Sequence, residues 1–237
     1  LLNGTIIECC TAYGGRRQDP AEHWKAIEEH GFKAMAPCDI MDEHEEMDLP
    51  VQNGFHLDKD IVGKNFANYD SVLVLSHFKG HAMAGLGGAL KNISIGIAST
   101  QGKAYIHTAG VTTDAAELWS KLPPQDHFLE SMADACQAII AYKGAENMVY
   151  INVANRLSVD CDCSANPAEP EMADLGIFAS LDPVAVDQAC YDAVLNSPDP
   201  GKKALIERME SKHGIHTVEA AAQLGLGNRE YEIVSLD

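Results

Sequence analysis

Ser71-Val72-Leu73-Val74-Leu75-Ser76-His77-Phe78-Lys79-Gly80-His81-Ala82-Met83-Ala84-Gly85-Leu86-Gly87-Gly88-Ala89-Leu90-Lys91-Asn92 is the stretch whose reading decides the fold. Its first five residues are β-branched and leucine-rich without polar alternation, the composition of a strand buried in a parallel sheet. Two histidines, two lysines and four glycines follow, and then an apolar run at residues 93–97. In open parallel sheets, ligands bind in the crevice beyond the carboxyl ends of the strands. The glycine loop is therefore both a connection and a candidate site.

Working outward, residues 5–10 read as a second buried strand. Asp19-Pro20 reads as an N-cap with proline at the first helical position, opening a helix that Gly31 ends. Residues 125–143 carry Phe128, Leu129, Met132, Cys136, Ile139 and Ile140 at helical spacing. Residues 148–153 form the next strand and residues 174–179 a short one. Asp182-Pro183 repeats the cap-plus-proline signal and starts a helix through Leu195. Helices at 202–212 and 218–224 and a last strand at 231–234 follow. Residues 39–48 hold six carboxylates in ten positions and read as a solvated loop, because the order of a calcium-binding loop is missing. The alternation predicts an α/β fold: a mostly parallel sheet with helices on both faces, in one domain over residues 1–237.

The strand-end rule selects four loops, beginning at Cys9-Cys10, at Ser76-His77, at residues 152–155 leading into Cys161-Asp162-Cys163, and at Ser180-Leu181-Asp182. In the second, Gly80, Gly85, Gly87 and Gly88 let backbone approach a ligand, and successive N–H groups can form an anion-binding nest. Lys79 and Lys91 add point charges for a carboxylate or phosphate. Asn92 and, from the fourth loop, Asp182 complete the candidate ligand set, although Asp182 is first of all a helix cap. The loop has neither the Walker order nor the dinucleotide fingerprint.

Asp160-Cys161-Asp162-Cys163 is the other strong signal. In extended backbone, residues two apart point to one side, so both thiols can face one metal ion or one cluster edge. Cys161 and Cys163 with His77 and His81 make a four-ligand set if the loops converge, and thiolate with imidazole suits zinc or iron first and nickel after them. An inert or redox-active cysteine pair is the competing reading. Cys136 and Cys190 sit inside helical patterns and read as small buried hydrophobes. Asp187, one turn into its helix, reads as a surface carboxylate.

Composition narrows the partners. The 237 residues include 17 basic and 35 acidic side chains, a formal charge of −18. Nucleic acid and anionic membrane surfaces both need clustered Lys and Arg and are excluded as partners. No apolar run approaches the ~20 residues of a membrane span, and no secretory leader is visible. Seven cysteines without a leader argue against a disulfide framework. The expectation is an acidic, soluble, cytoplasmic protein with a small anionic ligand.

The glycine loop, the Asp160–Cys163 segment with Asp174-Leu175-Gly176-Ile177 and Ser180-Leu181-Asp182-Pro183-Val184-Ala185-Val186-Asp187-Gln188-Ala189, and the closing Leu224-Gly225-Leu226-Gly227-Asn228-Arg229-Glu230-Tyr231 together resemble domain-of-unknown-function family 362. The likeness covers almost the whole chain, and the resemblance implies an uncharacterised iron–sulfur-centre protein. Many members carry an inserted module with two four-cysteine motifs. Here the matching interval, residues 108–145, holds only Cys136, so no ferredoxin-type cluster is implied. The family also implies a further strand with a lysine motif ahead of Leu1, and with it a missing part of the site or a separate redox partner. A weaker likeness over residues 76–96 to the nickel-pincer lactate racemase family concerns architecture alone.

Three functions remain open on these residues. The first is a metal-dependent protein with Cys161, Cys163 and His77 or His81 as ligands, doing redox or metal-assisted chemistry on a small anion. The second is a metal-free enzyme with His77 or Lys79 as acid/base. The third is a non-catalytic metal carrier or assembly factor.

Overall fold

A computed structural model describes residues 4–236. β1 (Ile6–Glu8) and β2 (Cys38–Ile40) pair in parallel, joined by α1 (Pro20–Glu29) and α2 (Phe32–Met35). α1 starts where the sequence places it, because the Asp19 carboxylate accepts the Glu22 N–H at 3.0 Å and Pro20 opens the first turn. β3 (Glu46–Pro50) and β4 (Lys59–Gly63) form an antiparallel pair. β5 (Val72–His77) leads into a tight hairpin of β6 (Lys79–His81) and β7 (Gly85–Gly87). α3 (Ala89–Lys91) continues as a π-helical turn over Asn92–Gly96, followed by α4 (Thr100–His107) and the long α5 (Gln125–Lys143). β8 (Met148–Ala154), β9 (Gly176–Ser180), α6 (Pro183–Asn196), α7 (Lys202–Ser211) and α8 (His216–Gln223) complete the order. None of these helices is long and apolar enough to cross a membrane.

The fold is α/β, but the expected mostly parallel sheet is replaced by small mixed ones. β5 pairs with β8 in parallel and β8 with β9 antiparallel, so among the described residues only two of the five strand pairings are parallel. The reason lies in the connections. A parallel return needs a crossover, usually a helix, and residues 155–175 between β8 and β9 contain none. Helices on both faces are not found either. Val74, Met148, Tyr150 and Ala154 are buried on one face of this sheet, where α6 packs. On the other face Leu73, Leu75 and Ile177 are 61, 60 and 71% exposed.

Two further expectations change. Residues 231–234 form no strand, and Ile233 and Val234 stand in solvent. The acidic run is partly built in. Asp39 accepts hydrogen bonds from Asn65 and Tyr69, and Asp42 accepts the Cys10 and Thr100 amides. Leu1 and the strand implied ahead of it lie outside the described residues.

The largest apolar cluster draws on chain-distant residues, from Cys9 and Val62 through Ala133 and Tyr150 to Val218 and Ala221. A second gathers Phe78, Leu86 and Leu157 with Leu205 and Met209 of α7. This second cluster underlies the β6–β7 hairpin and fixes it beside the segment after β8.

Candidate functional site

Gly80 determines where the glycine loop sits. A side chain there would place its Cβ 2.4 Å from the Val159 carbonyl oxygen, and the Gly80 amide donates to the Ser158 carbonyl at 2.8 Å. The hairpin strand is thereby laid on residues 158–159, two positions before Cys161. Arg208 holds the same segment from α7, donating to the Val159 carbonyl at 2.8 Å and to Asp160 at 3.0 Å. The Asp160 carboxylate in turn accepts the Ala168 amide.

The result brings His81, Cys161 and Cys163 together, with their ligand atoms all within 4.8 Å of one another. Cys161 is half-buried and Cys163 exposed. Nδ1 of His81 accepts the Met83 and Ala84 amides at 3.1 and 2.9 Å, which leaves Nε2 for the thiols. A hydrogen bond from Cys163 holds the Cys161 thiol far below the usual range, with His81 and the Lys91 charge adding to it against the cost of burial. Cys163 moves up for the same reason, since it keeps the proton it donates to Cys161. The pair thus carries one thiolate and one thiol. Burial pushes the Lys91 ammonium down, partly offset by the neighbouring Cys161 charge.

His77 lies outside this trio. Nδ1 meets the Asp162 carboxylate at 2.8 Å and Nε2 the Asn155 carbonyl at 2.7 Å. Both partners only accept, so both ring nitrogens donate and the ring is an imidazolium. The Asp162 hydrogen bond accordingly raises its pKa. The Lys79 ammonium takes the other Asp162 oxygen at 2.9 Å, and the His77 bond followed by the Lys79 bond holds Asp162 well below the usual carboxylate range despite its burial. His77 borders a surface cleft of about 400 Å³ that also has Ser76, Asn155, Arg156 and Asp162 in its wall.

The other candidate residues are placed as follows. Gly87 faces both lysines, with an added Cβ 3.3 Å from Lys91 Cδ and 3.9 Å from Lys79 Nζ. Gly85, at φ +75°, abuts Gly214 and Met209. At Gly88 a Cβ would come within 2.3 Å of Asp187, which is fully buried rather than on the surface. Asp187 caps α3 by accepting the Ala89 and Leu90 amides at 2.7 and 3.0 Å, and also accepts from the Asn152 side chain. Burial raises its carboxyl to about 6. Asn92 donates to Ser76 and to the Leu75 carbonyl, tying the helix to β5. Asp182 caps α6 through the Val184 and Ala185 amides and holds the Asn228 amide at 2.8 Å. The amides of Gly80, Ala89 and Leu90 are therefore engaged within the protein rather than turned to a ligand.

Cys9 and Cys10 are buried away from the trio. The Cys9 thiol donates to the Ile97 carbonyl, and Cys10 lies against His23. Cys136 and Cys190 are buried, as their helical spacing implies.

Tyr13 is the neighbour that sequence reasoning passed over. Its hydroxyl, 3.4 Å from His107 Nε2, is raised first by burial and then by the neighbouring cysteine pair, which places it near the thiols. Its position just past β1 and before Gly14-Gly15 carries the same strand-end signal that selected the other loops.

The family model described as "Domain of unknown function (DUF362)" matches residues 3–192. That match brings neither an iron–sulfur assignment nor a likeness to lactate racemases. No curated protein matches the chain.

Proposed function

Because the chain belongs to the DUF362 family, whose description assigns no activity, we propose from the site itself that Cys161, Cys163 and His81 bind a single thiophilic transition-metal ion, zinc or iron. The convergence of two thiols and an imidazole from two distant segments within 4.8 Å carries this reading. Asp162, between the two cysteines, turns to His77 and Lys79, which leaves both thiols on one side. A four-thiolate iron–sulfur cluster does not fit, because among the described residues only two thiols meet there. Lys91 beside the ion, with Lys79 across Gly87, supplies positive charge for a small carboxylate or phosphate.

Loading the ion displaces protons, since a metal-bound cysteine is a thiolate and a metal-bound imidazole nitrogen is deprotonated. Cys163 must release one, while the neutral His81 ring keeps its single proton and must carry it on Nδ1 instead of Nε2, giving up the bonds from the Met83 and Ala84 amides. Affinity therefore rises with pH.

Metal analysis of protein purified anaerobically is expected to find about one zinc or iron ion per chain lost on Cys161→Ser or Cys163→Ser substitution. A content well below one at this site, with the same value in both variants, overturns the proposal.

One observation favours a second reading. With two amides donating to Nδ1, the proton of a neutral His81 ring sits on Nε2, where it competes with a metal. A metal-free site would then be a reactive thiolate at Cys161, hydrogen-bonded by His81 and Cys163. Alkylation of Cys161 by iodoacetamide at pH 6 separates the two. The second reading predicts labelling that added zinc does not slow, whereas the metal reading predicts protection by zinc.

A further inference from the structure

Away from the thiols, three histidines from three elements surround one carboxylate. Glu130 on α5 receives the His56 Nε2 at 2.5 Å on one oxygen and the His216 Nε2 at 3.0 Å on the other. His56 belongs to the connection between β3 and β4, and His216 is the first residue of α8. His127 lies one turn before Glu130 on the same face of α5. Its ring is stacked near that of His56, with centroids 4.4 Å apart. The ligand atoms of His56, His127 and Glu130 all lie within 4.8 Å of one another.

We infer that His56, His127 and Glu130 form a second metal site, of the zinc class, independent of the thiol site. Two imidazoles and a carboxylate are a donor set that zinc uses with an open fourth position. Bond lengths of about 2.0–2.1 Å in a tetrahedron put donors about 3.3 Å apart. His56 Nε2 and the Glu130 oxygen, now 2.5 Å apart, would have to separate to reach that spacing around an ion. His216 holds the second Glu130 oxygen and acts as the outer partner that orients a ligating carboxylate.

The surroundings are prepared for this. Asp134, one turn further along α5, accepts the amides of Phe55, His56 and Leu57 at 2.8, 2.8 and 2.9 Å, so the His56 backbone is fixed to the helix that carries the other two ligands. The side chains of His56, Glu130 and His216 are 21, 19 and 25% exposed, while His127 is exposed and leaves the site open to solvent on its side. The His127 ring is exposed, packs against His56 and has no hydrogen-bond partner among the described residues, so both of its nitrogens are available to a metal ion. The neighbouring carboxylates Asp126 and Glu219 add negative potential. His216 also borders a surface cleft of about 310 Å³ on the α7–α8 side.

The test titrates the metal-stripped full chain with Co²⁺ and Zn²⁺. A cobalt equivalent with weak d–d bands and no sulfur-to-cobalt charge transfer reports the nitrogen–oxygen site, and the thiol site reports itself by that charge transfer. The double variant Cys161→Ser/Cys163→Ser is expected to keep the nitrogen–oxygen equivalent, so failure of the thiol proposal does not decide this one. His127→Ala removes no hydrogen bond and leaves the fold intact. It is expected to weaken zinc at this site at least about 100-fold and to abolish the zinc-induced rise in melting temperature, while His216→Ala weakens binding about 10–100-fold. An unchanged zinc affinity in a folded His127→Ala variant, or no equivalent without sulfur in the wild-type chain, overturns the inference.

Discussion

Asp60, in β4, is fully buried, and neither of its carboxylate oxygens has a hydrogen-bond partner among the described residues. Burial pushes its carboxyl up to about 8, so it is neutral in the fold at pH 7 and ionised in the unfolded chain, where its pKa is about 3.9. With the folded pKa raised, the native state binds the extra proton, and stability falls as pH climbs from about 4 to 8. Asp60→Asn removes that dependence. Relative to wild type, its stability in urea unfolding is expected to rise by up to about 1.4 kcal/mol per pH unit across this window and to level off above it. A constant difference between the two proteins at every pH would exclude titration of Asp60 as the cause. Gly80 is the other telling residue. Gly80→Ala forces its methyl against the Val159 backbone, and the expected result is a loss of about 1–3 kcal/mol together with weaker zinc loading at Cys161 and Cys163. The Lys79 and Lys91 charges are untouched by that change.

At the scale of elements, the two Asp-Pro helix starts and the span of α5 are readable from sequence because their determinants lie within one turn. Asp19 and Asp182 each meet amides two or three residues ahead, and the apolar spacing of residues 125–143 is local. Strand pairing is not local. The antiparallel return of β9 depends on a helix-free connection, and the burial of Asp187 depends on α3, which lies almost a hundred residues earlier. The site divides in the same way. The thiols of Cys161 and Cys163 meet through a turn closed by the Ser164 amide on the Cys161 carbonyl, not through the extended backbone that the spacing suggests, and the choice between His81 and His77 is made by Asp162, whose carboxylate turns to His77. Asp134 gives this scale its prediction. Its buried carboxylate accepts three successive amides of the β3–β4 connection, and Asp134→Ala leaves them without a partner. The expected cost is about 2–4 kcal/mol of unfolding free energy, read from the denaturant midpoint and slope, along with loss of the nitrogen–oxygen cobalt equivalent through displacement of His56. Asp134→Asn, which retains one acceptor oxygen, is expected to recover part of both.

For the molecule as a whole, the open face of the β5–β8–β9 sheet separates stability from apolarity. Leu73 and Leu75 contribute little to the fold while more than half exposed, so Leu73→Thr/Leu75→Thr is expected to shift the melting temperature by no more than a degree or two, as read by calorimetry. A large drop would show that this face is covered in solution. The second apolar cluster has a different consequence. The family match ends at residue 192, inside α6, yet Leu205 and Met209 of α7 and Val218, Ala220 and Ala221 of α8 fill the interior. The end of the family match and the boundary of cooperative folding therefore do not coincide. A polypeptide stopped at residue 192 would carry the thiols, the glycine loop and most of the family's motif, but it would lose the Arg208 tether and two helices' worth of core. It is expected to behave as a protease-sensitive, dye-binding collapsed state, and inheritance of the motif alone is not enough to make the domain.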